Sequence, residues 1–345
     1  MITIHDIAQE AGVSKTTVSR VLNNSSRVSD KTRLKIEEVI NKYDYQPSES
    51  ARALCQKTTK MIGVIIPNIY NDFYHEVMQG ITQVADESKM SLLFCNTMED
   101  PKKEENAMTM LKGQRVRGVI MALARDNPDR KLLTRVEEQI KELNAPVVFL
   151  DRKLSSSKDA VTYDGFGASY RATTELIKAG NKTLGIITGD INLKIGKERL
   201  DGFIKAMEDH QVEVNDEYIF YGNFMLEKAY ELSRKMYESG KVPDGIVTCN
   251  NDSTLGFIRA TREQNFKLGR EIALVAIDHV TVLDTIGYHY SHVGRDSVGT
   301  GRNAMSLLLK KIEEPKRKVE EIVMPYYVQL MGTEKKSQKD KKKRK

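Results

Sequence analysis

The stretch TIHDIAQEAGVSKTTVSRVLN, residues 3–23, decides how the first part of this chain folds. Its apolar residues recur at helical spacing on both sides of a single glycine: Ile4, Ile7, Ala8, Ala11, Val18, Val21 and Leu22. Gly12 supplies the backbone freedom that a tight turn needs, and Ser14 can cap the helix that follows. The pattern predicts two short helices joined by a turn, which is a helix-turn-helix.

The second helix of this pair has a polar face opposite its apolar one. The residues on or near that face are Lys15, Thr16, Ser19, Arg20 and Asn23. Arg and Lys pair with guanine edges in the major groove, Asn pairs with adenine, and Ser or Thr contact phosphates or thymine methyl groups. A solvated face without function is the alternative, but the complete motif spacing favours DNA reading.

A third helix is predicted after Ser29, which can serve as its N-cap. Its apolar positions follow the i, i+3, i+4, i+7 pattern: Ile36, Val39, Ile40 and Tyr43. These residues would complete a small three-helix core. Pro47 ends this segment, and SESARALCQ at 48–56 has the composition of a brief further helix.

Outward from this region, short apolar runs alternate with amphipathic stretches. The candidate strands are 62–67, 91–96, 118–122, 147–150, 184–188, 218–221, 245–249 and 272–277. Short Val, Ile and Leu runs separated by helices are typical of parallel strands buried on both faces. Four strands before residue 160 and four after it predict two doubly wound α/β sheets with a ligand cleft between them.

Composition and charge narrow the function classes. The 345 residues are 40% hydrophobic and 30% charged, which is typical of a folded protein of two or three domains. Residues 1–60 carry ten Lys or Arg against seven Asp or Glu, and 335–345 carry eight against one, so polyanion contacts belong to the two ends. Three widely spaced cysteines, Cys55, Cys95 and Cys249, and the lack of an apolar leader indicate a reduced, cytoplasmic protein.

With these motifs, the sequence resembles the lactose-repressor and galactose-repressor family of bacterial transcription regulators. The segments that carry the resemblance are TIHDIAQEAGVSKTTVSRVLN, RVSDKTRLKI, YQPSESARAL and IGVIIP, followed more loosely by NDFYHEVMQGI, ERLDGF, CNNDSTLG and ALVAID. The resemblance implies a helix-turn-helix domain at 1–46, a hinge helix and linker at 47–60, a two-lobed effector-binding and dimerisation body at 61–333, and a basic tail at 334–345. That body is of the periplasmic-binding-protein type.

The resemblance also implies which residues function. Those expected at DNA are Thr3, Ser14, Lys15, Thr16, Thr17, Ser19, Arg20, Asn23, Arg27, Ala51 and Leu54. Leu54 would wedge into the minor groove and kink the duplex, with Ala51 at the contact between hinge helices, although Leu54 could also be an ordinary core residue. Those expected at a small-molecule effector, most simply a sugar, are Phe73, Tyr74, Arg199, Phe224, Asn251 and Asp278.

Arg199 and Asp278 are expected to approach the effector from opposite lobes, although Arg199 could instead form a structural salt bridge and the phenylalanines could be core. The sequence departs from the family pattern at Arg295 and Asp296, where Gln and Pro are common, at Asn181, and at Met331.

The expected partners are operator DNA, a small-molecule effector and a second copy of the chain, since the tail TEKKSQKDKKKRK has no leucine heptads that would join two dimers. A phosphoprotein corepressor is the alternative partner. No nucleophile elbow, phosphate loop or metal-ligand cluster is present in the sequence, so neither an enzyme nor a cofactor is predicted.

Overall fold

The computed structural model describes residues 2–22, 27–45, 59–125, 130–154 and 158–336. The chain divides into two compact units, residues 1–59 and residues 60–345. Several expected functional residues, Asn23, Ala51 and Leu54, lie outside the described residues, as do most of the hinge segment and the tail beyond residue 336.

The first unit contains three helices over its described residues: α1 (Ile4–Ala11), α2 (Lys15–Leu22) and α3 (Asp30–Lys42). They pack around a core of Ile7, Ala8, Ala11, Val18, Val21, Ile36 and Val39. Gly12 ends α1 with φ +65°, a left-handed conformation that glycine adopts without the strain a Cβ would bring. The predicted helix-turn-helix is confirmed.

The third helix begins as its sequence predicts and ends differently. Ser29 caps α3 by accepting a hydrogen bond from the Thr32 backbone N at 3.4 Å. Tyr43, predicted to extend the packed face, follows the last residue of α3 and is 37% exposed. The prediction for Tyr43 was wrong, since α3 ends at Lys42 and Tyr43 does not belong to the buried apolar core.

The second unit alternates strands and helices. Its strands are β1 (Met61–Ile66), β2 (Ser91–Asn96), β3 (Gly118–Met121), β4 (Val147–Leu150), β5 (Ala160–Tyr163), β6 (Leu184–Thr188), β7 (Ile219–Tyr221), β8 (Gly245–Thr248), β9 (Ala273–Ile277), β10 (Ser291–Arg295), β11 (Glu321–Met324) and β12 (Tyr326–Gln329). Its helices are α4 (Asp72–Glu87), α5 (Pro101–Gly113), α6 (Arg130–Leu143), α7 (Gly165–Lys178), α8 (Lys194–Asp209), α9 (Leu226–Glu238), α10 (Asn251–Glu263), α11 (Thr281–Thr285) and α12 (Ser297–Glu313).

These strands form two six-stranded sheets, ordered β11-β5-β4-β3-β1-β2 and β12-β10-β9-β8-β6-β7. Every strand pair is parallel except β10 with β12. Each sheet, with the helices on its faces, is one lobe. The doubly wound, two-lobed prediction is confirmed, and the eight predicted strands are present with ends shifted by at most one residue. The strands β5, β10, β11 and β12 were not predicted.

The chain passes between the lobes three times over its described part, after β5, after β10 and after β11. After each of the first two passages, an aspartate caps the helix that follows. Asp164 caps α7 by accepting from the Gly167 backbone N at 2.7 Å, and Asp296 caps α12 by accepting from the Gly299 backbone N at 2.7 Å. The carboxyl ends of the parallel strands of both lobes therefore border one interlobe cleft.

Candidate functional site

The second helix of the first unit presents its polar side chains to solvent. Val18 and Val21 are buried, whereas Lys15, Thr16 and Arg20 are exposed. Among the described residues of this unit, those three have neither a hydrogen bond nor an ion pair from the side chain. An exposed α-helical face with free Lys, Thr and Arg groups has the size and chemistry that the major groove accepts.

The start of this helix is held by its own side chains. Ser14 Oγ accepts from the Thr17 backbone N at 3.1 Å and lies 2.9 Å from Thr17 Oγ1. Thr3 plays a similar part at α1, because its hydroxyl and backbone N both donate to Asp6 Oδ2 at 2.8 Å. Ser19 is half-buried and Arg27 is exposed. Among the predicted DNA-contacting residues, Lys15, Thr16 and Arg20 are therefore candidates for reading DNA, whereas Thr3 and Ser14 stabilise the starts of helices.

The second unit contains a cavity of about 60 Å³ in the interlobe cleft. Its walls combine aromatic rings with charged and amide groups from both lobes: Asn68, Asn71, Phe73, Tyr74, Glu99, Asp151, Arg152, Ile195, Arg199, Phe224, Asn250, Asp252, Asp278 and Arg295.

Arg295, the last residue of β10, connects the two lobes inside this cleft. Its Nη1 donates to Asp151 Oδ1 of the first lobe at 2.6 Å. Its Nε and Nη2 donate to the two carboxylate oxygens of Asp278 in the second lobe, at 3.0 and 3.3 Å. The side chains of all three residues are more than nine-tenths buried. The guanidinium also lies 3.5 Å from the centre of the Phe73 ring, an attractive cation–π contact.

The two aspartates hold equivalent places in the two lobes. Asp151 follows β4 with φ +60°, and Asp278 follows β9 with φ +70°. Non-glycine residues in the left-handed region are uncommon, and they concentrate at functional sites. Burial acts to raise the pKa of Asp151, but the charges of Arg295 and Arg199 prevail and hold the pKa below its ordinary value. Asp151 is thus an ionised carboxylate in a desolvated place.

Arg199, on α8, lies in the second lobe beside Asp278. The helix carries it into the cleft at 2% exposure, where its Nη1 donates to the Cys249 carbonyl oxygen. Its guanidinium carbon lies 5.5 Å from the centre of the Phe224 ring. Phe224 is held there by Asn250, whose Nδ2 donates to the Phe224 carbonyl oxygen at 3.2 Å. A Cβ at Gly189 would meet that ring at 2.0 Å, so residue 189 must be glycine for Phe224 to reach this position.

Two residues of the first lobe form the aromatic side of the cleft. Phe73 and Tyr74 lie in the first turn of α4 and contact each other edge to face, with ring centres 4.9 Å apart. The Tyr74 hydroxyl lies 3.5 Å from Asp151 Oδ2, and burial raises the pKa of Tyr74 well above its ordinary value. Arg152 lies beyond them, with its Nη1 and Nη2 donating to the Glu99 carboxylate at 2.6 and 3.2 Å.

The structure brings together five of the six predicted effector residues: Phe73, Tyr74, Arg199, Phe224 and Asp278. Asn251 does not line the cavity, because its Nδ2 donates to the His279 carbonyl oxygen at 3.0 Å. Its neighbour Asn250 does. The sequence could have indicated Asn250, because an asparagine directly before a helix and after a strand is a typical N-cap, and Asn250 caps α10.

The expectation that Arg199 and Asp278 face the effector from opposite lobes was wrong. Both belong to the second lobe, and Arg199 Nη2 lies 3.7 Å from Asp278 Oδ2. The groups that the first lobe contributes opposite them are Asp151 and Arg152, which sequence reasoning missed. Arg295 was noticed only as a departure from the family pattern. Its role depends on β10 lying beside β9, which the sequence does not display.

Among the described residues, no helix is both long and apolar enough to span a lipid bilayer. The same residues contain no cluster of His, Cys, Asp and Glu side chains arranged to hold a metal ion.

A helix-turn-helix unit joined to a two-lobed body with a polar interlobe cleft defines a class, the DNA-binding regulators with a ligand-binding body. Two family models match the chain in chain order. Residues 3–48 match bacterial regulatory proteins of the lacI family, and residues 59–330 match the periplasmic binding proteins and sugar binding domain of the LacI family. This chain belongs to the LacI family and is a transcriptional regulator.

Named relatives extend this result over most of the chain. The HTH-type transcriptional repressor PurR of Haemophilus influenzae (strain PittEE) is 30% identical over 312 residues, covering 90% of this chain and 91% of the relative. The HTH-type transcriptional regulator DegA of Bacillus subtilis (strain 168) is 34% identical over 283 residues, covering 82% and 83%. The Lac repressor dimer bound to operator and the anti-inducer ONPF has a similar fold, with a TM-score of 0.84 at 24% identity, covering 97% and 99%.

Proposed function

We propose that this regulator is a repressor that binds a near-palindromic operator as a dimer, and that a sugar or sugar derivative in the interlobe cleft changes its operator affinity. The observation that carries the proposal is the buried cleft itself, where directed polar groups and aromatic rings from both lobes converge. Binding operator DNA would place the chain in the bacterial cytoplasm.

The DNA-binding part of the proposal rests on α2. Lys15, Thr16 and Arg20 project from the exposed side of a helix whose other side is packed. Arg20 is the best candidate for a guanine contact, because a guanidinium can donate two parallel hydrogen bonds to the O6 and N7 atoms.

The dimer is supported by a structural relative, the Lac repressor, whose structure is titled as a dimer bound to operator. Two copies related by a two-fold axis present two identical reading helices, so the operator should contain two inverted half-sites.

The effector is supported by relatives of the same fold that are titled as complexes with cellobiose and with ribose. Polar contacts that cross between the lobes include Arg295 with Asp151, Asn71 with Asp252 at 3.4 Å, and Thr281 with Glu76 at 3.1 Å. A ligand that replaces or reinforces such contacts changes the balance between open and closed lobes. It can change operator affinity only by as much as it favours one of these states.

Selection from random double-stranded DNA, with the oligomeric state measured by sedimentation, tests the first part. We expect paired inverted half-sites and a dimer. Recovery of a single unrepeated half-site, or a tetramer, would contradict the dimeric part of the proposal.

The second part is tested by screening sugars and sugar derivatives for a change in operator retardation. The compound that acts should lose its effect in Phe224→Ala, which removes an aromatic wall of the cleft, and keep it in Tyr221→Ala, an exposed aromatic on β7. An effect that survives Phe224→Ala would place the effector elsewhere.

A further inference from the structure

We infer that the effector carries an oxyanion, either a carboxylate or a phosphate monoester, and that Arg199 binds this group while Arg295 selects for it. The inference rests on the proposed function, because it takes the interlobe cleft as the effector site. It narrows the ligand from sugars in general to sugar acids and sugar phosphates.

The first observation is an imbalance of buried charge. Three guanidinium groups in the cleft are more than nine-tenths buried, those of Arg152, Arg199 and Arg295. Of the described acidic side chains that line the cleft, two are buried to that extent, Asp151 and Asp278. The charge of Arg152 is balanced by the carboxylate of Glu99, which is more exposed, and Arg295 pairs with both buried carboxylates. Arg199 has only a long ion pair, 3.7 Å from Nη2 to Asp278 Oδ2, with a carboxylate that it shares with Arg295, and a desolvated charge needs a closer counterion.

The second observation is the hydrogen bonding of Arg199. Its Nη1 donates to the Cys249 carbonyl oxygen, while neither Nε nor Nη2 has a hydrogen-bond partner among the described residues. The separation of 3.7 Å between Nη2 and Asp278 Oδ2 is too long for a hydrogen bond. Nε and Nη2 form one edge of the guanidinium, the edge that donates two parallel bonds to the oxygens of a carboxylate or phosphate.

The third observation is the position of Arg295. A neutral sugar can offer hydroxyl oxygens to Arg199 as acceptors, but it brings no negative charge to that buried guanidinium. Asp151 and Asp278 already pair with Arg295. An oxyanion supplies both the charge and the acceptors for Arg199, and the Arg295 bridge stays in place. The side chain at 295 therefore determines which class of ligand is accepted.

Thermal unfolding and calorimetry with matched compounds test the inference at constant ionic strength. The probes are inorganic phosphate, and glucose, galactose and ribose each beside its acid or phosphate: gluconate, glucose 6-phosphate, galacturonate and ribose 5-phosphate. We expect phosphate to raise the unfolding temperature relative to chloride, and at least one acid to bind at least ten-fold more tightly than its neutral partner.

Substitutions distinguish phosphate binding at Arg199 from a general stabilisation of the protein by salt. Arg199→Lys keeps the charge but loses the two-donor edge, so it should lose the phosphate-specific shift and weaken the acid by roughly ten-fold to a hundred-fold. Arg171→Lys, an exposed arginine on α7, should retain both. Arg295→Gln frees the two aspartates and should reduce the preference for the acid. A wild-type protein without a phosphate shift, or a shift that persists in Arg199→Lys, would overturn the inference.

The two proposals fail in different ways. If a neutral sugar binds as tightly as its acid and still alters operator retardation, the oxyanion inference is wrong and the effector function stands. If the phosphate shift depends on Arg199 but no compound alters operator retardation, the oxyanion site stands and the proposed control by an effector is wrong.

Discussion

The reading helix and the interlobe cleft both depend on arginines, but they place them in opposite environments. Arg20 is exposed on α2, and Arg295 is 4% exposed between two carboxylates and an aromatic ring. An exposed side chain without partners contributes little to folding and is available to DNA. A buried, paired side chain stabilises the fold and is available to a ligand only through rearrangement. Function and stability are therefore separable in α2 and coupled in the cleft.

The largest effect on stability is expected for Arg295→Ala. The substitution leaves Asp151 and Asp278 buried without the guanidinium that pairs with both, and removing one partner of a buried ion pair costs about 3–5 kcal/mol. Urea unfolding followed by circular dichroism should show this loss in the transition of the second unit. Arg171→Ala, on an exposed part of α7, is the control and should change stability by less than about 0.5 kcal/mol.

The stability deficit of Arg295→Ala should shrink in acid, because the charge of Arg295 holds the pKa of Asp151 low in the wild-type protein, and a protonated Asp151 no longer needs a counterion. A loss below about 1 kcal/mol at neutral pH would show that Arg199 and Arg152 take over the two carboxylates, and the buried-bridge account of Arg295 would then be wrong.

The same contrast explains what the sequence could predict. The helices of the first unit follow from neighbouring residues, such as the apolar spacing around Gly12 and the cap at Ser29. In the cleft, Phe73 and Arg199 were found through motifs on single elements. Arg295 was not, because its partners come from positions 151 and 278, which only the sheet order brings together.

The missed strands have a similar cause. In β10, SHVGR does not have an apolar appearance, because Ser291 and His292 are buried polar residues. Ser291 is satisfied by Glu334, which is 43 residues away in the sequence, so local composition could not predict the strand. In β11, the pairing partner is β5, from a distant part of the chain, and residues such as Val323 remain exposed.

A smaller, pH-dependent effect is expected at Glu104 on α5. This side chain is 4% exposed and accepts from the Ala124 backbone N at 2.6 Å. Burial raises its pKa from 4.5 to about 7. The folded state therefore holds a proton that the unfolded state releases above pH 4.5, so this contribution to stability is fully present below pH 4.5 and is lost as the pH rises through about 7.

Glu104→Gln removes the charge and keeps an acceptor for Ala124, so it should stabilise the protein at pH 8 by up to roughly 3 kcal/mol and have little effect near pH 4.5. Unfolding by urea at the two pH values measures the difference. Glu105→Gln is the matched control on the same helix. Hydrogen bonds from Lys102 and Arg135 lower the pKa of Glu105, so this variant should not be stabilised at pH 8. Equal responses of the two variants would contradict the assignment to burial.

The smallest effect on stability, and the sharpest test of the contrast, is expected for Arg20→Ala. The side chain is exposed on α2, so the free energy of unfolding should change by less than about 0.5 kcal/mol. Operator affinity should nevertheless fall by roughly 1–3 kcal/mol, because a two-bond contact with a guanine edge would be lost. Gel retardation on the selected operator and urea unfolding, on the same preparation, measure both quantities. Arg234→Ala, an exposed arginine on α9, removes the same charge from the second unit and should leave both unchanged. If Arg20→Ala weakened specific and non-specific DNA equally, Arg20 would be a phosphate contact. If it lowered stability by as much as it lowered affinity, the separation of function from stability in α2 would not hold.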